Sequence, residues 1–561
     1  MAAYLENTSI VPRAAASRGD ICQLSTPGIA IVGGTLYVGM GGFAFSSGNS
    51  STVNLNSIFG IPLNNSFPVH SSVSADSYYE ISISSTSFPE AGVQGTILYT
   101  NTSLYFYDPV FPRDTTSIFT YNAETNTQRT LSVNGSDNYP FQNTQGGIAS
   151  DPSSGRMFYT GHFEGTEGSD TSPPTAKRPW LQILYEDGRN NTVTWLEGAG
   201  GGPELYGAAM HYLRYGKEGI LVAFGGLVPG NLTETRDFKN IYVFDISSQV
   251  WYLVEATGAF NDSQIPGPRQ LFCTGLSAAP DSSTFQITMF GGLLSDESEI
   301  RNRIFTLIIP TFQWLEVTPR NLLSGTGDDS RWNHQCTVWQ DNQMFVVGGH
   351  VSSASGNIYT DCEDNPPLLI LDTNTFEWKD RFDPTQNASQ PRAIFELVGG
   401  DANGGNTKKA PAAGFNNPAL STIFANVLPR ITAPTSFVTA VEASPSTTTT
   451  SATTSLPTGG GLSSRSKVAI IAGSVSGGIV FLALIAGFIY YFWSRRRRLG
   501  YDLPPIVIGY DSNGNPVYNG SFGGIGHYSN NSFGGILGTP PVSEILGGVD
   551  HTLPIGGIAA R

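Results

Sequence analysis

The sequence predicts an all-β repeat body on three observations: a charge-poor, glycine-rich composition, short apolar runs ending at a glycine pair, and an aromatic residue at a fixed place after each run. Of 561 residues, 65 are glycine and 35 proline; aromatics make up 11% and charged residues only 13%. That mixture describes many short strands joined by turns, with few long amphipathic helices.

The apolar run recurs as TLYVGMGG (35–42), TSLYFYDP (102–109), RMFYTGHF (156–163), GILVAFGG (219–226), TFQITMFGG (284–292) and QMFVVGG (343–349). Its glycine pairs are Gly41 with Gly42, Gly225 with Gly226, Gly291 with Gly292, and Gly348 with Gly349; YDP and GHF replace them in the second and third copies. A second strand, a turn of about five residues and an aromatic follow: IYVFDISSQVW to Trp251, IFTLIIPTFQW to Trp314 and LLILDTNTFEW to Trp378. A stretched version reaches Trp195, a weaker one Phe67, and IFTYNAETNTQRT lacks the aromatic. Glycine lets the backbone turn and approach closely at the strand end. The late aromatic is a large apolar plug between neighbouring units.

A unit of this period cannot bury both faces of its sheet alone, so it repeats until a ring closes. The spelling is that of a kelch-type β-propeller, one four-stranded blade per repeat. The count gives six blades, with PRAIFELVGG (391–400) open as a closing strand or the start of a seventh. The segments KNIYVFDISSQVWYLVEATG, PRQLFC, SAAPDSSTFQITMFGG, RWNHQCTVWQDNQMFVVGG and ELVGGDANGG resemble the ectodomain of single-span kelch-repeat membrane proteins predicted in filamentous fungi. The resemblance covers roughly residues 20–500 and is most specific over 239–405. It implies a galactose-oxidase/kelch-like propeller on a stalk at the cell surface and implies no activity.

Val468–Trp493 runs 26 residues without a charge, where about 20 suffice for a helix to cross the hydrocarbon core. Arg495, Arg496, Arg497 and Arg498 follow at once and outweigh Arg465 and Lys467, which places the C-terminal tail in the cytosol and the N-terminal part outside. Ala469, Gly473 and Gly477 share one helical face, a spacing that permits homodimerisation through the span. Asn-x-Ser/Thr acceptors stand at Asn7, Asn49, Asn64, Asn101, Asn134, Asn190, Asn231, Asn261 and Asn387. The first 20 residues lack the apolar segment of a secretory signal, which points to a truncated or misplaced start. The expected organisation is a poorly defined N-terminus (1–20), the propeller (21–405), a Ser/Thr/Pro-rich linker and stalk (406–466), the span (468–493) and a disordered cytosolic tail (494–561).

A formal charge of −15 repels phosphate backbones and argues against a nucleic-acid partner. The four cysteines lack paired CxxC spacing and suit one or two disulfides. Cys336, before MFVVGG, and Cys362, after it, fall in one expected blade and are the pair expected to bond; Cys273 is the equivalent of Cys336 one blade earlier, and a Cys22–Cys273 bridge would have to span blades. Seven histidines, at 70, 162, 211, 334, 350, 527 and 551, show no local ligand spacing and read as structural. Copper-radical chemistry would need His, Tyr and Cys converging at the propeller centre, for which His334 with Cys336, or His350, could be argued. No cofactor or catalytic residue is assigned. GAGGGP (198–203) lacks the following helix or lysine of a nucleotide loop and reads as an interblade connection, and NPVY (515–518) reads as tail sequence.

The expected function is binding: a surface adhesion or sensing module that takes a protein or glycan ligand on variable loops and is held by the lipid bilayer of the plasma membrane or another secretory-pathway membrane. An anchored copper-radical or carbohydrate-active oxidase and a structural wall-linking protein are the alternatives.

Overall fold

The structure, a computed structural model, describes residues 9–430 apart from short stretches, the longest being 84–95, 135–146 and 161–180, and further on two strands near residue 510. Two compact units divide the chain, Met1–Pro445 and Ser446–Arg561.

The first unit is a six-bladed propeller of antiparallel four-stranded sheets. Blade 1 comprises Gly28–Val32, Thr35–Gly39, Ser57–Pro62 and Tyr79–Ser82; blade 2 comprises Thr96–Tyr99, Ser103–Tyr107, Ser117–Asn122 and Thr127–Asn134. Blade 3 is built from Ile148–Asp151, Arg156–Thr160, Leu181–Asp187 and Thr192–Glu197, and blade 4 from Ala209–Leu213, Ile220–Phe224, Asn240–Asp245 and Val250–Glu255. Cys273–Ala278, Phe285–Phe290, Ile304–Ile309 and Gln313–Val317 form blade 5; Gln335–Trp339, Gln343–Val347, Leu368–Asp372 and Glu377–Lys379 form blade 6. The innermost strand of each blade neighbours that of the next, and that of blade 6 neighbours that of blade 1, so the ring is closed.

Each second strand lies between two neighbouring blades and is covered on both faces. That is why Ile220–Phe224, Phe285–Phe290 and Gln343–Val347 are buried at every position and read as continuous apolar runs without alternation. The chain then turns at glycine: Gly225 and Gly226, Gly291 and Gly292, and Gly348 and Gly349 all have positive φ, between 67° and 99°. A Cβ on Gly348 would stand 2.7 Å from the Leu24 carbonyl oxygen at the entry to blade 1, and one on Gly291 would collide with the Arg331 carbonyl at the entry to blade 6. The glycines admit the neighbouring blade's backbone. In blade 1 the register is one residue earlier than the sequence suggests: Met40 takes the left-handed position at φ 55°, and Gly42 already opens the strand Gly42–Phe45.

In blades 2, 4 and 6 the turn between third and fourth strands is set by an Asp or Asn. Asp245 Oδ2 accepts from the Ser248 backbone N–H, Asn122 Oδ1 from those of Glu124 and Thr125, and Asp372 Oδ1 from that of Asn374. A left-handed residue follows (Asn126, Gln249, Phe312, Phe376), and two positions later comes the aromatic. Trp314 and Trp378 are buried; Trp378 lies 5.0 Å from Phe290 of blade 5, edge to face. Trp251 is half-buried against Phe244 at 4.9 Å. Gln128 stands at this position in blade 2, and Trp195 pairs with Leu184 in blade 3. Phe67 packs on Phe382 at 5.1 Å, across the joint where blade 1 meets the end of blade 6.

Several expectations are corrected here. Both disulfides join different blades: Cys22 with Cys362 (Cα–Cα 5.0 Å) links the entry of blade 1 to blade 6, and Cys273 with Cys336 (5.3 Å) links the innermost strands of blades 5 and 6. The expected Cys336–Cys362 pair does not form, because neighbouring innermost strands lie closer than an inner strand and the outer connection of its own blade. PRAIFELVGG is neither strand nor blade. Arg392–Val398 is a helix with Ile394 and Val398 buried against blade 6, and Gly399 (φ 87°) caps it. The folded unit also outruns both expected boundaries. Arg13–Ala15 adds a strand to the outer edge of blade 1. Beyond residue 405, the helix Pro418–Ala425 buries Leu420, Ile423 and Phe424, where a linker was expected.

Residues 380–430 form a strap across one face of blades 6, 5 and 4. Asn342 donates to the Gln386 carbonyl, the Gly405 N–H donates to Asp281 Oδ2, and the Gly216 N–H donates to the Asn426 carbonyl at 2.9 Å. All three propeller partners lie in tight turns between first and second strands, so the strap covers the turn face. The longer connections that begin with the described strands Gly42–Phe45, Leu227–Val228, Leu293–Leu294 and His350–Ser352 leave from the opposite face.

In the second unit, Val507–Tyr510 pairs antiparallel with Pro516–Tyr518, a ribbon within the tail expected to be disordered. No helix among the described residues is long and apolar enough to cross a membrane. The expected span 468–493, Arg495–Arg498 and most of the stalk lie outside the described residues, as do Asn7, Asn49 and Asn190.

Candidate functional site

A channel of about 500 Å³ runs down the propeller axis, lined by residues of all six innermost strands, with Arg430 at its turn-face end. That volume is in the range of small-ligand sites. Because these strands begin at the long-connection face and end at the turn face, the two ends carry different side chains.

Leu271, Phe272, Cys273, Asn333, His334, Gln335 and Cys336 line the long-connection end. The sulfurs of Cys273 and Cys336 and a ring nitrogen of His334 lie within 4.8 Å of one another, the spacing of a metal-ligand set. The donor set does not fit a metal: both sulfurs are spent in the disulfide, and His334 Nε2 is 3.2 Å from the Phe290 carbonyl oxygen. Burial, reinforced by the nearby Arg331 guanidinium, pushes His334 down to about 3, so the ring is neutral. His350 packs against Trp332, ring centroids 4.7 Å apart and tilted, and is also pushed down, by burial and then by Arg331. The constellation argued for copper is therefore an interblade joint in this fold.

Arg331, which the sequence reading passed over, is fully buried. Its Nη1 donates to the Gly348 carbonyl at 2.6 Å and its Nη2 to the Pro366 carbonyl at 3.2 Å, and burial lowers it to about 9. Arg269 does the same one blade earlier, donating to the Gly291 carbonyl at 3.2 Å; burial and then Arg303 lower it to about 10. Each diglycine of blades 5 and 6 is thus held by a guanidinium from the segment leading into its own blade. The legible signal was an arginine a few residues before the cysteine in PRQLFC and SRWNHQC.

Midway along the channel, His211 Nε2 lies 2.8 Å from Thr274 Oγ1, and burial pushes the ring down to about 4. At the turn-face end, Arg430 pairs with Asp341 Oδ2 at 2.5 Å, and Asp341 Oδ1 accepts from the Ala278 N–H at 3.1 Å. Burial raises Asp341 despite Arg430 and Arg214.

Among the acceptor asparagines, Asn261 and Asn387 are exposed and Asn64 and Asn101 half-buried, whereas Asn134 and Asn231 lie in strands. Asn261 Oδ1 caps a short turn by accepting from the Ser263 N–H.

The fold is a six-bladed β-propeller of kelch type, with diglycine turns and interblade aromatics. Residues 214–404 match the family described as the KLHDC2/KLHL20/DRC7 Kelch-repeats domain. A "Kelch repeat-containing protein" of Arthroderma benhamiae is 28% identical over 337 residues, covering 55% of this chain and 45% of that protein. The chain thus spans about half the length of this curated relative. A solved structure described as "Structure of YjhT" is similar at 13% identity, with a TM-score of 0.39 over 65% of this chain and 98% of that one.

Proposed function

We propose that this chain is a single-pass cell-surface protein whose propeller binds a partner protein through its long-connection face. The observation that carries the reading is the opposition of the two faces. The strap covers the turn face and delivers Arg430 there, immediately before the Ser/Thr/Pro-rich tract and the 26-residue apolar segment, while the variable connections leave from the other face. A rigid disc with loops on its free side is suited to recognition. Two further features support an exported ectodomain: all four cysteines are paired, as in oxidising compartments, and the exposed Asn261 and Asn387 stand in glycosylation acceptors.

The test uses the full chain on intact cells. Impermeant cross-linking should capture a partner protein with the wild type, and replacing 231–237 and 293–294 by Gly/Ser linkers should abolish capture, whereas substitutions at Glu124 and Thr125 on the turn face should not. Capture that survives the loop replacements refutes the binding face. Reactivity confined to wall glycans would favour a structural wall-linking role, and protection of the propeller from external protease would refute the surface location.

A further inference from the structure

The turn-face end of the channel carries a charge imbalance that the fold leaves standing. Among the described residues, the charged side chains lining the cavity are Arg214, Arg430 and Asp341. Both oxygens of Asp341 are committed, to Arg430 and to the Ala278 N–H. Arg214 is bonded elsewhere: its Nη2 donates to Ser282 Oγ at 2.8 Å, its Cζ lies 5.5 Å from the Phe285 ring centroid, and its Nη1 is buried without a hydrogen-bond partner. Two guanidinium groups therefore share one carboxylate at the turn-face end of the channel, in a chain whose net charge is −15. Among the described residues of the cavity wall no other side chain supplies a negative charge. The wall above mixes apolar side chains, Ala209, Leu276 and Val338, with polar ones, Ser150, Thr337 and the Thr274–His211 pair.

We propose that this end of the channel binds a small organic carboxylate, its anionic group held between Arg214 and Arg430 and its apolar body extending up the channel. A guanidinium fork matches a carboxylate in geometry and charge. The apolar side chains Ala209, Leu276 and Val338 on the wall favour an organic acid over an inorganic ion. Arg430 also ends the strap, so the ligand would tighten the strap against the propeller.

Benzoate, its neutral isostere benzamide, and inorganic sulfate are the probes, with the detergent-solubilised full chain followed by thermal unfolding and ligand-observed NMR. Benzoate should raise the melting temperature in a concentration-dependent way, with benzamide and sulfate ineffective. Arg214→Gln and Arg430→Gln should each weaken benzoate binding roughly tenfold or more. The comparison of benzoate with benzamide on the wild type needs no variant, so it stands even if Arg214→Gln folds poorly. No binding of benzoate, equal binding of benzamide or sulfate, or unchanged benzoate affinity in both variants would overturn the proposal.

Discussion

Trp314, in the fourth strand of blade 5, donates its indole Nε1 proton to the Phe238 carbonyl of blade 4 at 2.8 Å. The same ring stands edge-on to Phe224 and Phe238, at 5.4 and 5.9 Å between centroids. One residue therefore fills the wedge between two blades and satisfies a buried backbone acceptor.

Two substitutions separate these roles. Trp314→Phe keeps most of the plug but orphans the Phe238 carbonyl, and should cost about 1–2 kcal/mol. Trp314→Ala also opens a cavity and should cost about 3–5 kcal/mol. Urea unfolding of both variants checks the order; equal losses would mean that the hydrogen bond contributes nothing.

The repeat was legible because its determinants are local. A strand buried on both faces, a glycine pair, an Asx turn and an aromatic two residues past the left-handed position all lie within one stretch of chain, and that stretch recurs. What the sequence hid is what joins one stretch to another. The disulfide partners lie in different blades, so spacing along the chain pointed to Cys362 as the partner of Cys336 when Cys273 lies beside it. ELVGG ends in the blade's own diglycine, and Gly399 and Gly400 do adopt positive φ, but they terminate a helix. Arg331 escaped notice because a fully buried arginine runs against what charged residues usually do.

Arg331 tests how far the diglycine turn depends on that buried guanidinium. Arg331→Met removes the donors to the Gly348 and Pro366 carbonyls and should destabilise the fold by about 2–4 kcal/mol. Arg331→Lys keeps the charge but cannot span both carbonyls, and should recover only part of that. A loss under about 0.5 kcal/mol for the Met variant would place the position among ordinary surface sites and contradict the role.

The neutral state of His334 has a pH consequence with a definite sign. The ordinary value is 6.5 and the folded value is about 3, so below pH 6.5 the unfolded chain takes up a proton that the folded chain refuses. The stabilisation is complete above that pH and is lost progressively as pH falls toward about 3. Between pH 7 and pH 5 this amounts to about 2 kcal/mol. His334→Gln should flatten the urea midpoint over that interval relative to wild type; an unchanged slope would show that His334 is not held neutral.

Ring closure is the claim on which the rest depends, and non-reducing peptide mapping of the full chain tests it most directly. The account predicts a peptide pair joining Cys22 to Cys362, across 340 residues of chain, and a second joining Cys273 to Cys336. Recovery of Cys336 bonded to Cys362, or of Cys22 as a free thiol, would contradict it.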